Sequence, residues 1–250
     1  MTRVRTLFVV AVLAGACTRA NAQGNAPAKW ADTISAEIEK AQIAGDDTKL
    51  AAAVALAGRV ATAYPTDGLM LHYQGYAIYR QGILKMGRGG DASAALEQAR
   101  DILERSLKTR PLPETHVLLS SIDGQLIAKS PNRAMELGMA SQASQTAALS
   151  LGPNNPRVWL LRGQGAIFTP PEYGGGLSAA EGQLKHAIEL FAKDAPKRGE
   201  PSWGRAEAYA WLGQVYEKQG DKTKAASFYK QALDIAPNYG YARMLAGALK

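Results

Sequence analysis

The sequence lacks most of what marks a chemical centre. There is one cysteine, Cys17, in 250 residues, so no disulfide forms within the chain and the fold rests on packing. The three histidines, His72, His116 and His186, lie far apart. A catalytic base or metal ligand needs partners held within reach, so each is expected on a partly solvated helix face. No Gly-rich loop is followed by a phosphate-binding Lys, and neither Gly-x-Ser-x-Gly nor His-Glu-x-x-His occurs. Gly163-Gln164-Gly165 lacks the third glycine of a dinucleotide loop. The expectation is therefore no catalytic residue, no metal and no cofactor. Glu37, Glu39 and Glu217 read as solvated helix positions. Single-sign charge blocks are also absent. The formal charge of +7 falls to +4 without the first 22 residues, which hold Arg3, Arg5 and Arg19 and no acid. The remaining basic residues are scattered, whereas a nucleic-acid binder clusters them on one face, so no nucleic-acid partner is expected.

Long apolar runs are missing too. Leu7 to Ala16 is uncharged but falls short of the ~20 residues that span a bilayer. Behind the basic Arg3 and Arg5, and ahead of Ala20-Asn21-Ala22, it has the layout of a secretory signal over residues 1–22, cleaved after Ala22. The expected location is the periplasm. Ala14-Gly15-Ala16-Cys17 offers an alternative reading as a lipobox, with Ala where that motif usually has Leu. Cys17 would then anchor the chain to the outer membrane as a lipoprotein, the one route to a membrane in this sequence.

What is present is a hydrophobic share of 46%, arranged with helical periodicity. From Ala206 to Tyr239, apolar positions fall at Tyr209, Leu212, Gly213 and Tyr216, then at Ala225, Phe228, Tyr229, Ala232, Leu233 and Ala236. Both groups follow the spacing of one helix face. Gln219-Gly220-Asp221 between them supplies a left-handed helix end and a cap for the next helix, and Pro237 stops the second helix.

This unit resembles the tetratricopeptide repeat (TPR). Tyr209 stands at the family's Trp, and Leu212, Gly213 and Tyr216 match its Leu-Gly-x-x-Tyr. Ala225, Tyr229, Ala232 and Pro237 match its small, aromatic, small and Pro positions. The resemblance implies an all-α, right-handed α-solenoid of TPR-like helix pairs over residues 30–250. Residues 206–239 are the clearest repeat. Looser units are expected at 30–65, 67–111, 113–153 and 156–192, with a flexible segment at 23–29 and a last short helix reaching Leu249.

In TPR proteins the first helix of each pair lines a concave groove. Carried over by position, that implies partner contacts from His72, Tyr76, Tyr79 and Arg80, from Arg157 and Gln164, and from Gln214 and Lys218. The partner would be a protein or peptide, with copies of the chain itself also possible. The alternative is that Tyr76 and Tyr79 are core, and that Arg80 and Lys218 are plain surface. The Lys and Asn arrangement that clamps a terminal carboxylate in some TPR domains is not visible.

Residues 169–176, Thr-Pro-Pro-Glu-Tyr-Gly-Gly-Gly, break the helical pattern. The aromatic followed by three glycines is similar to an insertion in exported bacterial proteins of this family. Tyr173 has two readings: part of a mobile loop closing over a bound segment, or a plug packed between helices. A second Pro/Gly-containing loop runs from Lys193 to Trp203.

Overall fold

The computed structural model describes residues 26–249, and the secretory-signal and lipobox readings lie outside them. Among the described residues eleven α-helices follow in order: α1 Ala26–Ala44, α2 Asp47–Ala63, α3 Gly68–Gly87, α4 Ser93–Leu107, α5 Pro113–Ile127, α6 Ala134–Leu151, α7 Pro156–Phe168, α8 Leu177–Phe191, α9 Arg205–Lys218, α10 Lys222–Ile235 and α11 Gly240–Ala248. Among the described residues there is no strand. The chain is an all-α solenoid of antiparallel helix pairs. Residues 26–29, expected to be flexible, form the first turn of α1.

Short polar side chains set the helix starts. Asp46, Asp67, Asn155 and Asp221 each accept a hydrogen bond from a backbone N–H in the first turn of the helix that follows. Pro113 and Pro156 open α5 and α7, where the missing N–H costs nothing.

Four of the five pairs close at a small residue on the first helix. A Cβ on Gly75 would stand 2.6 Å from Leu103, one on Gly163 2.6 Å from Leu184, and one on Gly213 2.5 Å from Tyr229. In the α5/α6 pair the small residues are serines, and Ser141 Oγ lies 2.9 Å from Ser120 Oγ. The glycine contact recurs three times and the serine pair takes its place in the fourth, and the pairs stack and share one core that runs from α1 into α10. Ser106, fully buried on α4, donates to the carbonyl of Gly68 at 2.7 Å and ties α4 to the start of α3.

The two ends of the solenoid meet. A Cβ on Gly240 would lie 3.6 Å from the carbonyl oxygens of Ile43 and Ala44, and Ile43 packs with Tyr239 and Tyr209. Arg80 on α3 forms an ion pair with Glu207 on α9 at 2.8 Å. The first helices of the pairs therefore turn one set of faces toward each other, and this is the inner face of the fold.

Candidate functional site

The inner face has a filled half and an open half. A strap, residues 192–204, runs from α8 to α9 across the first half. Trp203 stacks on Tyr76 of α3 with ring centroids 4.9 Å apart and planes 17° apart, and the guanidinium of Arg157 on α7 sits 6.0 Å from the Trp203 ring. Arg157 Nη2 donates to Asp194 Oδ2 at 2.6 Å. Tyr73 OH donates to the carbonyl of Gly199 at 3.3 Å, and the Gly199 N–H donates to Asp32 Oδ1 on α1 at 2.7 Å.

The strap decides where the candidate groove residues lie. His72, Tyr76, Tyr79, Arg80 and Arg157 are all buried, each 5% exposed or less. Tyr76 and Tyr79 are core. His72, expected on a partly solvated face, is instead enclosed, with Nδ1 2.8 Å from Thr115 Oγ1; burial, with Arg110 adding to it, pushes its pKa down to about 3. Arg80 is not plain surface. Burial alone would lower its pKa, but Glu207 reverses the effect and raises it, so the guanidinium stays charged. Glu39 is also not fully solvated. Burial raises its pKa, with Glu207 adding to the rise and Arg157 and Arg80 opposing it.

Where the strap leaves α8, it walls an open cavity of about 590 Å³ at the N-terminal ends of α5 and α7, lined in part by Glu114, Asn155, Arg157, Lys193 and Asp194. Glu114 accepts from Asn155 Nδ2 at 2.6 Å. Its carboxyl is buried, and burial raises its pKa, partly offset by that hydrogen bond.

The open half lies on α7, α9 and α11. Gln164 and Phe168 continue the Arg157 stripe of α7 at helical spacing, and Trp211, Gln214 and Lys218 continue the Glu207 stripe of α9. Phe168, 67% exposed, meets Trp211 edge-on at 6.3 Å, and Trp211 lies 5.8 Å from Tyr241 on α11. Gln214 Nε2 donates to Tyr241 OH at 2.8 Å. Next to this run, Gln214, Glu217, Lys218 and Leu245 line a cavity of about 300 Å³. Glu217 is held there by a hydrogen bond from Tyr229 OH. Position on the helix indicated Gln164, Gln214 and Lys218; Phe168, Trp211 and Tyr241 were missed. The available signal was Phe168 at the end of the α7 stripe and Trp211 within that of α9.

Tyr173 stands apart. It sits on a single 3₁₀ turn, Pro171–Tyr173, followed by Gly174 in the left-handed region at φ 82°. It is 79% exposed, so it plugs nothing between helices. The turn is fixed from behind: a Cβ on Gly175 would stand 2.0 Å from the Thr169 carbonyl oxygen. Among the described residues no group of three His, Cys, Asp or Glu side chains is placed to hold a metal ion, and no helix is long and apolar enough to cross a membrane.

The sequence model of the tetratricopeptide repeat family matches residues 206–239, the pair α9/α10 with its Gly213–Tyr229 lock. The chain carries a tetratricopeptide repeat there. Tetratricopeptide repeat protein 34 of Mus musculus is 32% identical over 165 residues, which cover 63% of this chain and 27% of that protein. The chain thus spans about a quarter of the length of that relative. Among solved structures, the HusA haemophore from Porphyromonas gingivalis superposes with a TM-score of 0.62 at 21% identity, over 76% of this chain and 94% of that one. A thermophilic TPR protein of Thermus thermophilus gives 0.56 at 19% identity, over 81% and 91%. At these identities the likeness is one of fold. The TPR fold is that of a protein–protein interaction scaffold, generally without catalysis. In TPR terms, one half of this inner face is already occupied by the chain itself.

Proposed function

We propose that this TPR protein is a non-catalytic, exported interaction module that holds a protein or peptide partner on the open half of its inner face. The observation that carries this reading is the run Phe168–Trp211–Tyr241, flanked by Gln164, Gln214 and Lys218. One exposed and two half-buried aromatics beside amides and a cation are the kinds of side chain that anchor interfaces, and a ring held by a neighbouring ring loses little entropy on binding. The amide of Gln214 fixes the face by donating to Tyr241 OH. The haemophore's likeness is one of fold and brings no ligand with it. Tyr173, exposed on its rigid turn near the end of α7, is proposed as an outlying contact.

Export rests on the sequence: the basic start, the apolar run and Ala20-Asn21-Ala22 support a periplasmic protein beginning at Gln23. The alternative is a lipoprotein scaffold anchored through Cys17. Mass and N-terminal sequence of the protein recovered from the cell envelope separate the two. The binding face is tested by co-purification from envelope extract with the parent and with Phe168→Ser/Trp211→Ala, a variant chosen because both rings are partly solvated. The reading expects a partner kept by the parent and lost by the variant at unchanged helical circular dichroism. The same partners with both proteins would remove this face from consideration.

A further inference from the structure

The strap contacts the inner face in the way a bound peptide does. It is non-helical, turns tightly at Lys197–Glu200, where the Glu200 N–H donates to the Lys197 carbonyl at 3.0 Å, and carries one aromatic anchor, Trp203, laid on Tyr76. It exchanges backbone hydrogen bonds with side chains of the helices: the Gly199 N–H goes to Asp32 and the Gly199 carbonyl receives Tyr73 OH. It sets a basic side chain, Arg198, on Asp32 at 3.2 Å. Main-chain bonds for affinity with side-chain pockets for specificity are a recurring division of labour in peptide recognition.

The fit is incomplete. Trp203 Nε1, Tyr76 OH, His72 Nε2, Arg80 Nε and Arg157 Nε are all buried without a hydrogen-bond partner. Five polar atoms on or around one ring, all withdrawn from water, are unusual where a segment serves only to fill the core, because each carries a desolvation cost. A segment evolved purely as core would present an acceptor to these donors, or an apolar wall in their place.

We infer that residues 192–204 are a ligand in cis, and that this half of the inner face takes a non-helical peptide with a Gly turn after a basic residue and a tryptophan about five residues beyond that residue, in exchange for the strap. This rests on the reading of the inner face as the binding surface, but on its other half. Two features permit the exchange. Gly199 and Gly204 hold φ at 82° and 106°, where only glycine is unstrained, so the strap turns at both ends of its contact. Arg198, the basic anchor, remains 60% exposed, so the contact peels from that side.

A strap tethered at both ends competes at an effective concentration on the order of millimolar, so the parent should bind such a peptide in trans only weakly. The test is fluorescence anisotropy of a labelled peptide of sequence 195–204 against the full chain. Trp203→Ala in the chain should bind the peptide about tenfold or more tighter than the parent, and the same peptide with alanine for tryptophan should not bind. If Trp203→Ala loses its helical circular dichroism, Arg198→Glu replaces it. That change sets like charges at Asp32, loosens the strap and leaves the groove intact, and it should also bind tighter than the parent. A folded variant that binds no tighter than the parent, or an alanine peptide that binds equally well, overturns the proposal. Trp211→Ala should leave this titration unchanged, so failure here and failure of the open-half reading are separate results.

Discussion

Removing one member of the buried pair Arg80–Glu207 tests whether the solenoid is closed as described. The two side chains are 5% and 10% exposed, with Nη2 2.8 Å from Oε2, and they join the second helix pair to the last. Arg80→Met keeps the length and the apolar stem but leaves Glu207 buried beside Tyr76 without its cation. Losing one partner of such a pair costs roughly 3–5 kcal/mol, because the other charge stays desolvated. In a chain of this size that corresponds to about 6–20 °C in melting temperature. Glu207→Gln should cost less, since Glu39 lies close enough to act on Arg80 and serves as a second counter-charge. The double variant Arg80→Met/Glu207→Leu should regain most of the loss, because a well-packed apolar pair often equals a buried ionic one. Urea denaturation followed by circular dichroism and by the fluorescence of the four tryptophans gives the three differences and their coupling. If Arg80→Met costs under ~1 kcal/mol, as for a solvated pair, the contact between α3 and α9 is not made in solution. If the double variant loses the sum of the singles, the two residues are not coupled. Either result refutes the closed arrangement.

Two further outcomes follow from packing and burial. Gly213→Ala places a methyl 2.5 Å from the Tyr229 ring and should cost about 1–3 kcal/mol in urea melts, whereas Gly182→Ala, exposed within α8 with nothing within 4 Å of the new methyl, should gain about 0.5–1 kcal/mol; equal effects would mean the helix pairs are looser than described. His72 is neutral in the fold down to about pH 3, while an unfolded histidine takes up a proton near pH 6.5, so the unfolded state binds more protons in that interval and stability should fall as pH drops from about 6.5 toward 3. His72→Gln should flatten that acid limb, and an unchanged slope would place the imidazole in contact with water.

The repeat was legible because it is written in contacts close along the chain. Gly213 and Tyr229, or Gly163 and Leu184, lie within one helix pair, and the spacing that brings them together is the helical period itself. The caps are local in the same way: Asp46 is followed three residues later by the N–H it accepts. The filled half of the inner face was not legible. Its decisive contacts join Tyr73 to Gly199 and Asp32 to Gly199, more than a hundred residues apart, and no periodicity connects them. The α3 stripe His72, Tyr76, Tyr79, Arg80 is aromatic and polar, and that composition suits a partner groove and a self-contact equally, since both require a ring to stack on and a charge to pair.

What separates the two is the loop. A tryptophan between serine and glycine in a Pro/Gly segment has to leave water somewhere, because no helix of its own carries it into the core. Two faces within the fold offer aromatic rings with space beside them. At α7, α9 and α11 the rings of Phe168, Trp211 and Tyr241 already contact one another, edge-on and tilted. At α3, Tyr76 has a free ring face beside the two cations Arg80 and Arg157, and a tryptophan placed there gains both stacking and a cation over its ring. The strap therefore goes to α3, and the aromatics of the open half are left facing outward, where a partner rather than the chain itself can meet them.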